Sequence, residues 1–241
     1  MATVALIHGF TQTSRSWTGI GSRLAEAGHD VIAPDLPGHG AASQLALDLP
    51  ATADYLANVC GPAVYVGYSL GGRVCLHLAL QQPDVVRRLV VIGATAGIGD
   101  PAERAARRHA DEALAGELRA GGDAGVPAFL ERWLANPLFA TLGPEEADIG
   151  SRLDNTAEGL ASSLRLAGTG TQQALWDRLG ALRMPVLVVA GELDAKFVAA
   201  GERLVAAIGR NARLHLMAGA GHAAHLERPD AFVEALEAFL T

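Results

Sequence analysis

The sequence predicts a single α/β domain built on a parallel sheet, and three observations carry that expectation. Short β-branched runs alternate with longer segments whose apolar residues recur at helical spacing, the alternation that βαβ crossovers produce. The short runs are almost continuously apolar, as strands are when helices cover both faces of their sheet. The chain has 241 residues, 50% of them hydrophobic, enough to close one sizeable core.

The elements follow in order. "TVALIH" (Thr3 to His8) and "VIAP" (Val31 to Pro34) read as strands, with the amphipathic "SWTGIGSRLAEAG" between them. "AVYVGY" (Ala63 to Tyr68) leads directly into the helical "LGGRVCLHLALQQP", and "LVVIGA" (Leu89 to Ala94) follows as the next strand. The alternation then stops. From 97 to 180, helical Arg- and Ala-rich segments run on without a convincing strand. The glycine-rich "RAGGDAG" at Arg119 to Gly125 permits mobility, whereas "FLERWLANPLF" has too much apolar mass for disorder. An insertion late in a parallel sheet sits over the strand C-termini, where such folds place their ligands, so a helical lid is expected. "VLVVAG" (Val186 to Gly191) and "RLHLMA" (Arg213 to Ala218), with "GERLVAAIG" between them, restore the strand and helix pattern. The expected organisation is a first core part over 1–96, a helical lid over 97–180 and a second core part over 181–241.

Charge and cysteine usage exclude several classes. A net charge of −7 repels polyanions, so neither nucleic acid nor an anionic membrane is an expected partner, and an anionic ligand needs locally placed arginines. Cys60 and Cys75 show no CxxC spacing and read as buried, reduced thiols. "MATVALIHGF" lacks a basic leader region and no apolar run approaches membrane-spanning length, so a cytoplasmic protein is expected. "HAAH" offers two histidines without a third ligand, and no glycine-rich nucleotide fingerprint follows the first strand; no metal and no cofactor are expected.

The chemistry centres on "VGYSLGGR", Val66 to Arg73. Gly67-x-Ser69-x-Gly71 between a strand and a helix fits a turn so tight that its central residue is strained, and small flanking residues allow it. A serine nucleophile or base needs an imidazole within reach and an acid to orient that imidazole. Asp194 in "AGELDAKF" and His222 in "AGAGHAAH" follow in that chain order, each just after a strand, with Glu192 and His225 as the competing acid and histidine. "HGF" ends the first strand, and the N–H of Phe10 paired with that of Leu70 would form an oxyanion hole. His8 reads as a brace for that turn, and Asp35 and His39 in "PDLPGHG" as structural.

"HGF", "PDLPGHG", "GYSLGGR", "GELDAKF" and "GAGHAAHLERP" together resemble the α/β-hydrolase superfamily. More narrowly, "ERAARRHAD", "FLERWLANPLF", "SRLDNTAEGLASSLRLAGTGTQQALW" and Arg73 resemble the 2-succinyl-6-hydroxy-2,4-cyclohexadiene-1-carboxylate synthase family. The superfamily sheet usually opens with two further strands, and because the strand ending in "HGF" starts almost at Met1 they are not expected here. The expected sheet therefore has about six parallel strands with helices on both faces, and its edge is open to another subunit, though the oligomeric state stays undetermined. The resemblance implies elimination of pyruvate from an enolpyruvyl cyclohexene, a small-molecule polycarboxylate, in menaquinone biosynthesis. It assigns Arg73, Arg107 and Arg152 to substrate carboxylates, with Arg104 and Arg108 as neighbours easily confused with Arg107. Tyr68, Trp133 and Phe139 would line the pocket, the latter two with lid core as the rival role. A serine hydrolase of an ester or C–C bond, or a noncatalytic binding protein, remains open on the same fold.

Overall fold

A computed structural model describes residues 1–241. Six strands form one parallel sheet in the order β2-β1-β3-β4-β5-β6: β1 Thr3–Ile7, β2 Asp30–Ile32, β3 Ala63–Tyr68, β4 Val86–Ile92, β5 Val186–Gly191 and β6 Ala212–Met217. All five pairings are parallel, as the near-continuous apolar strands require. β2 is shorter than its sequence signal because Pro34 cannot donate to a ladder, and β4 begins at Val86 rather than Leu89. After β1 the chain steps outward to β2, then returns to add β3 on the other side of β1. That reversal opens a crevice beyond the C-terminal ends of β1 and β3, the ligand position in open α/β sheets.

Alternate residues of each strand feed opposite faces. Ala5, Ile7, Tyr65 and Val91 pack beneath α2 (Leu49–Cys60), α3 (Leu70–Gln81) and α8 (Ala195–Ile208). Val4, Leu6, Val66 and Val90 pack beneath α1 (Thr18–Glu26) and α10 (Pro229–Leu240), against Trp17 and Phe232. Fully burying one such aliphatic side chain contributes about 1.5–3 kcal/mol, so the two cores hold the strand ends firmly.

Between β4 and β5 the chain is helical: α4 Pro101–Leu134, α5 Pro144–Ala147, α6 Ile149–Arg152 and α7 Ala157–Ala167. Asp100 caps α4 through the Glu103 N–H at 2.8 Å, with Pro101 in the first turn. The glycine-rich stretch expected to be mobile lies inside α4, where Gly122 alone leaves helical geometry (φ 56°, ψ −167°) and bends the rod. Leu118, Phe129 and Leu130 of α4 meet Leu160 and Leu164 of α7 in a third, separate core. α7 rests on the Pro34 to Gly40 turn so closely that a Cβ at Gly38 would come within 2.5 Å of the Gly159 carbonyl. One more short helix, α9 (Ala224–Glu227), precedes α10. No helix is long and apolar enough to cross a membrane.

Candidate active site

Ser69 stands in the crevice between β3 and α3 with φ 50° and ψ −105°, a positive φ that a non-glycine residue adopts only when its surroundings impose it. The surroundings do so. Its N–H donates to the Ile92 carbonyl at 2.8 Å, and a Cβ at Gly67 would lie 2.5 Å from the Gly71 carbonyl, so only glycine lets strand and helix close this tightly. The half-buried Ser69 lines a cavity of about 310 Å³ together with His222. No hydrogen bond joins the two side chains; they share the cavity wall.

His222 Nδ1 lies 2.9 Å from Asp194 Oδ2, and both side chains are largely buried. The other Asp194 oxygen accepts the Phe197 N–H at 3.2 Å, capping α8 and fixing the carboxylate's direction. The competitors are placed elsewhere. Glu192 is exposed and accepts the Gly219 N–H at 3.0 Å, while His225 is fully buried between Trp17 and Tyr68 with neither ring nitrogen hydrogen-bonded. Glu227, part of "GAGHAAHLERP" but given no role there, brackets the histidine: its oxygens accept the Gly221 N–H at 2.7 Å and the Ala223 N–H at 3.1 Å.

The two candidate oxyanion donors, Phe10 and Leu70, line the same cavity. Leu70 opens α3, where a helix leaves its N–H groups without intrahelical partners. The turn carrying Phe10 is braced from below by His8, which donates from Nδ1 to the Gly9 carbonyl at 2.8 Å and accepts the Leu36 N–H at Nε2, 2.9 Å. Burial pushes the His8 imidazole down to about 4 and His39 to about 3, so both are neutral braces. Asp35 accepts the Ser14 and Ala41 N–H groups and is structural likewise. Thr11, the next residue, has φ 68°, and its conformation is held from the insert: Arg152 donates to its hydroxyl and Asn155 Nδ2 donates to its carbonyl at 2.8 Å. Asn155 also accepts the Gly40 N–H at 3.0 Å, and no sequence pattern had marked it.

Arg73, Arg107 and Arg152 all reach the cavity. Arg73 comes from the elbow helix and is 8% exposed; its guanidinium donates to the Ala167 carbonyl at 2.8 Å and has no carboxylate partner. Burial, reinforced by neighbouring Arg107, lowers it to about 10, still cationic at neutral pH. Arg107 pairs through Nε with buried Asp111 at 2.8 Å, and Arg104 and Arg108 are not among the cavity residues. Arg152 donates to the Ala147 carbonyl at 2.6 Å, and burial depresses its pKa as well. Tyr68, Trp133 and Phe139 line the cavity, with ring centroids 5.0 Å apart for Phe10 and Trp133 and 5.9 Å for Phe139 and His222. Burial raises the Tyr68 phenol above its ordinary value. Gln12 and Lys196, absent from the sequence expectations, also face this space.

A serine on a strained turn and an imidazole bound to a carboxylate, brought to one cavity at the strand ends, define a class. The chain belongs to the alpha/beta hydrolase family, whose model matches residues 4–235. Within it the chain belongs to the family of 2-succinyl-6-hydroxy-2,4-cyclohexadiene-1-carboxylate synthases. The enzyme of that name from Citrobacter koseri is 32% identical, the alignment covering 98% of this chain and 93% of the relative. The structure of MenH from S. aureus matches with a TM-score of 0.89 at 29% identity, covering 99% and 93% of the two chains. A thermophilic esterase from Thermogutta terrifontis, solved with malate bound, matches with a TM-score of 0.81 at 25% identity, covering 100% of this chain and 89% of the esterase.

Proposed function

We propose that this protein eliminates pyruvate from 2-succinyl-5-enolpyruvyl-6-hydroxy-3-cyclohexene-1-carboxylate to give 2-succinyl-6-hydroxy-2,4-cyclohexadiene-1-carboxylate in menaquinone biosynthesis. The observation that carries the reading is a single cavity holding Ser69 and His222 together with three arginines. An esterase needs the first pair; three arginines reaching the same cavity suit a polyanionic substrate. Membership in the synthase family supports the same substrate.

The reaction turns a ring 3-ene into a 2,4-diene, which fixes the bonds that change. The proton at ring C2, acidified by the adjacent succinyl ketone, is removed; its electron pair forms C2=C3, the old C3=C4 pair moves to C4=C5, and the C5–O bond breaks. His222, oriented by Asp194, takes the Ser69 hydroxyl proton, and the serine oxygen accepts the C2 proton. Negative charge gathers on the ketone oxygen, where the Phe10 and Leu70 N–H groups receive it; one such donor is worth ~3–4 kcal/mol in acyl-transfer sites. The departing enolate takes a proton at carbon and leaves as pyruvate, so the site returns to its starting protonation.

Arg73, Arg107 and Arg152 bind substrate carboxylates, each charge-assisted bond contributing ~1.5–3 kcal/mol. Trp133 and Phe139 wall the ring side, and the insert acts as a lid that excludes water. We place this chemistry in the cytoplasm, which suits the free, buried Cys60 and Cys75. The test is incubation with the enolpyruvyl substrate while following pyruvate. Stoichiometric release with the diene product supports the reading; efficient ester cleavage with a burst of acyl-enzyme and no pyruvate replaces it with a serine hydrolase.

A further inference from the structure

The cavity continues past Ser69 into a second chamber of about 400 Å³. Ser69, Arg73, Arg107, Thr169, Lys196 and Phe197 line both spaces and form their shared boundary, the throat, which sets the second chamber beside the serine. Its far walls are the glycine-rich turn after β4, Trp176 and the α8 face as far as Arg203. The charges are lopsided. Arg73, Arg107, Lys196 and Arg203 face Glu103 alone. Arg107 is engaged by Asp111, but Lys196 and Arg203 form no ion pair at all: Lys196 Nζ sits 5.5 Å from the Phe197 ring centroid, and the Arg203 guanidinium stacks 3.7 Å from that of Trp176. The first chamber differs in kind, since Phe10, Trp133 and Phe139 give it the aromatic wall a carbocycle needs.

We infer that the second chamber is an anion subsite for a small 2-oxo carboxylate, and that Lys196 and Arg203 draw the leaving group out of the reaction chamber. The inference rests on the elimination reading, in which that leaving group is pyruvate. Two carboxylates, one on the ring and one on the succinyl arm, stay with the product beside the arginines of the first chamber, whereas Lys196 and Arg203, which pair with no acid, stand at the boundary of the two chambers and beyond it. Thr95 and Thr169 supply hydroxyl donors along the way. A stepwise handover also keeps the product from blocking Ser69.

The experiment measures ¹³C-labelled pyruvate binding by NMR titration, without substrate, to the wild-type protein and to Lys196→Gln, Arg203→Gln and the double variant. Both side chains are exposed, so the fold should tolerate the changes. Pyruvate affinity should fall about two- to fivefold in each single variant and about tenfold in the double, the size expected of solvent-facing charge contacts. The product-inhibition constant of pyruvate should rise by the same factors while the KM of the enolpyruvyl substrate moves less. Unchanged pyruvate binding in the double variant overturns the subsite, as does a KM that rises in step with it. Lys196-dependent pyruvate binding by a protein that releases none from the substrate supports the subsite and removes the elimination reading. Release without Lys196-dependent binding does the reverse.

Discussion

On the sheet side of the cavity every candidate reacting group hangs from a strand end: Phe10 after β1, Ser69 after β3, Asp194 after β5 and His222 after β6. On the insert side Arg107 hangs from α4, which shares a core of nine buried residues with α7, and Arg152 from the short α6, which adds nothing to that core; the two sheet faces bury 29 and 19. The smaller core makes the insert the weaker unit, able to open at a lower free-energy cost than the sheet. In the proposed roles, chemistry that tolerates little misplacement thus sits where two large cores fix it, with Arg73 beside it, and the remaining recognition sits on the weaker part. The halves meet at Thr11, whose positive φ next to the Phe10 N–H is held by Arg152 and Asn155. In the proposed mechanism, closure of the insert and assembly of the oxyanion donors would then be one event.

The largest effects should come from the sheet side. Ser69→Ala and His222→Ala should each lower kcat for pyruvate release by at least ~10³-fold, and the double variant should be little worse than either, because residues acting as a unit lose their function together. Fully additive losses would separate the two residues and break the assignment.

Next come the arginines, where the comparison can be sharpened. Arg73→Ala and Arg152→Ala should reduce kcat/KM for the polycarboxylate roughly ten- to several-hundred-fold, from ~1.5–3 kcal/mol per charged hydrogen bond. A small neutral ester separates them. Arg73 bonds the Ala167 carbonyl and the Gln172 side chain and makes no contact with the oxyanion turn, so ester turnover should hardly change; Arg152 also supports Thr11, so ester turnover should fall with it. Equal ester rates in both variants would remove the link between insert and oxyanion turn.

Asn155→Ala tests that link without touching charge. Its side chain reaches Thr11 and Gly40 on the sheet side and the Arg152 carbonyl on its own. We expect kcat to fall about tenfold, equivalent to ~1.4 kcal/mol in the barrier, with KM nearly unchanged. A rise in KM alone would make Asn155 a substrate contact instead.

The same division governs what could be read from the chain. Strand positions, the elbow, Asp194 and His222 were legible because each rests on a local pattern: an apolar run, glycines at fixed offsets, an acid or histidine immediately after a strand. The three arginines were reached through the family resemblance; Arg73 sits four residues after Ser69 on the same helix, whereas nothing local distinguishes Arg107 from Arg104 or Arg108. Asn155, Glu227 and Lys196 gave no signal. Asn155 acts through Thr11, 144 positions away, so no window along the sequence contains both partners; Glu227 holds Gly221 and Ala223 only six and four positions away, but spacing alone does not single out its carboxylate. The bend at Gly122 was read as mobility because glycine permits both disorder and a single non-helical residue inside a long helix.

The smallest expected effect is a pH dependence that separates the halves again. His8, His39, His77 and His225 all belong to the sheet half, and burial pushes them down to about 4, 3, 4 and 3 respectively. Their unfolded value is about 6.5, so between that pH and the folded values the unfolded chain binds more protons than the native one. Stability is therefore full above pH ~6.5 and declines as pH falls, each group contributing at most ~1.4 kcal/mol per pH unit. His225 is the cleanest probe, because its ring packs between Trp17 and Tyr68 and neither nitrogen has a hydrogen bond to lose. Urea unfolding of His225→Phe should give a stability within about 1 kcal/mol of wild type at pH 7.5, since an aromatic of similar shape replaces an unsatisfied polar ring. At pH 5.5 the variant should be the more stable of the two, and hydrogen exchange should show the sheet amides, rather than those of α4 and α7, losing protection in the wild type as pH falls. An identical pH slope in variant and wild type would mean that His225 takes up no proton on unfolding in this range, and the acid sensitivity would then rest on His8, His39 and His77 alone.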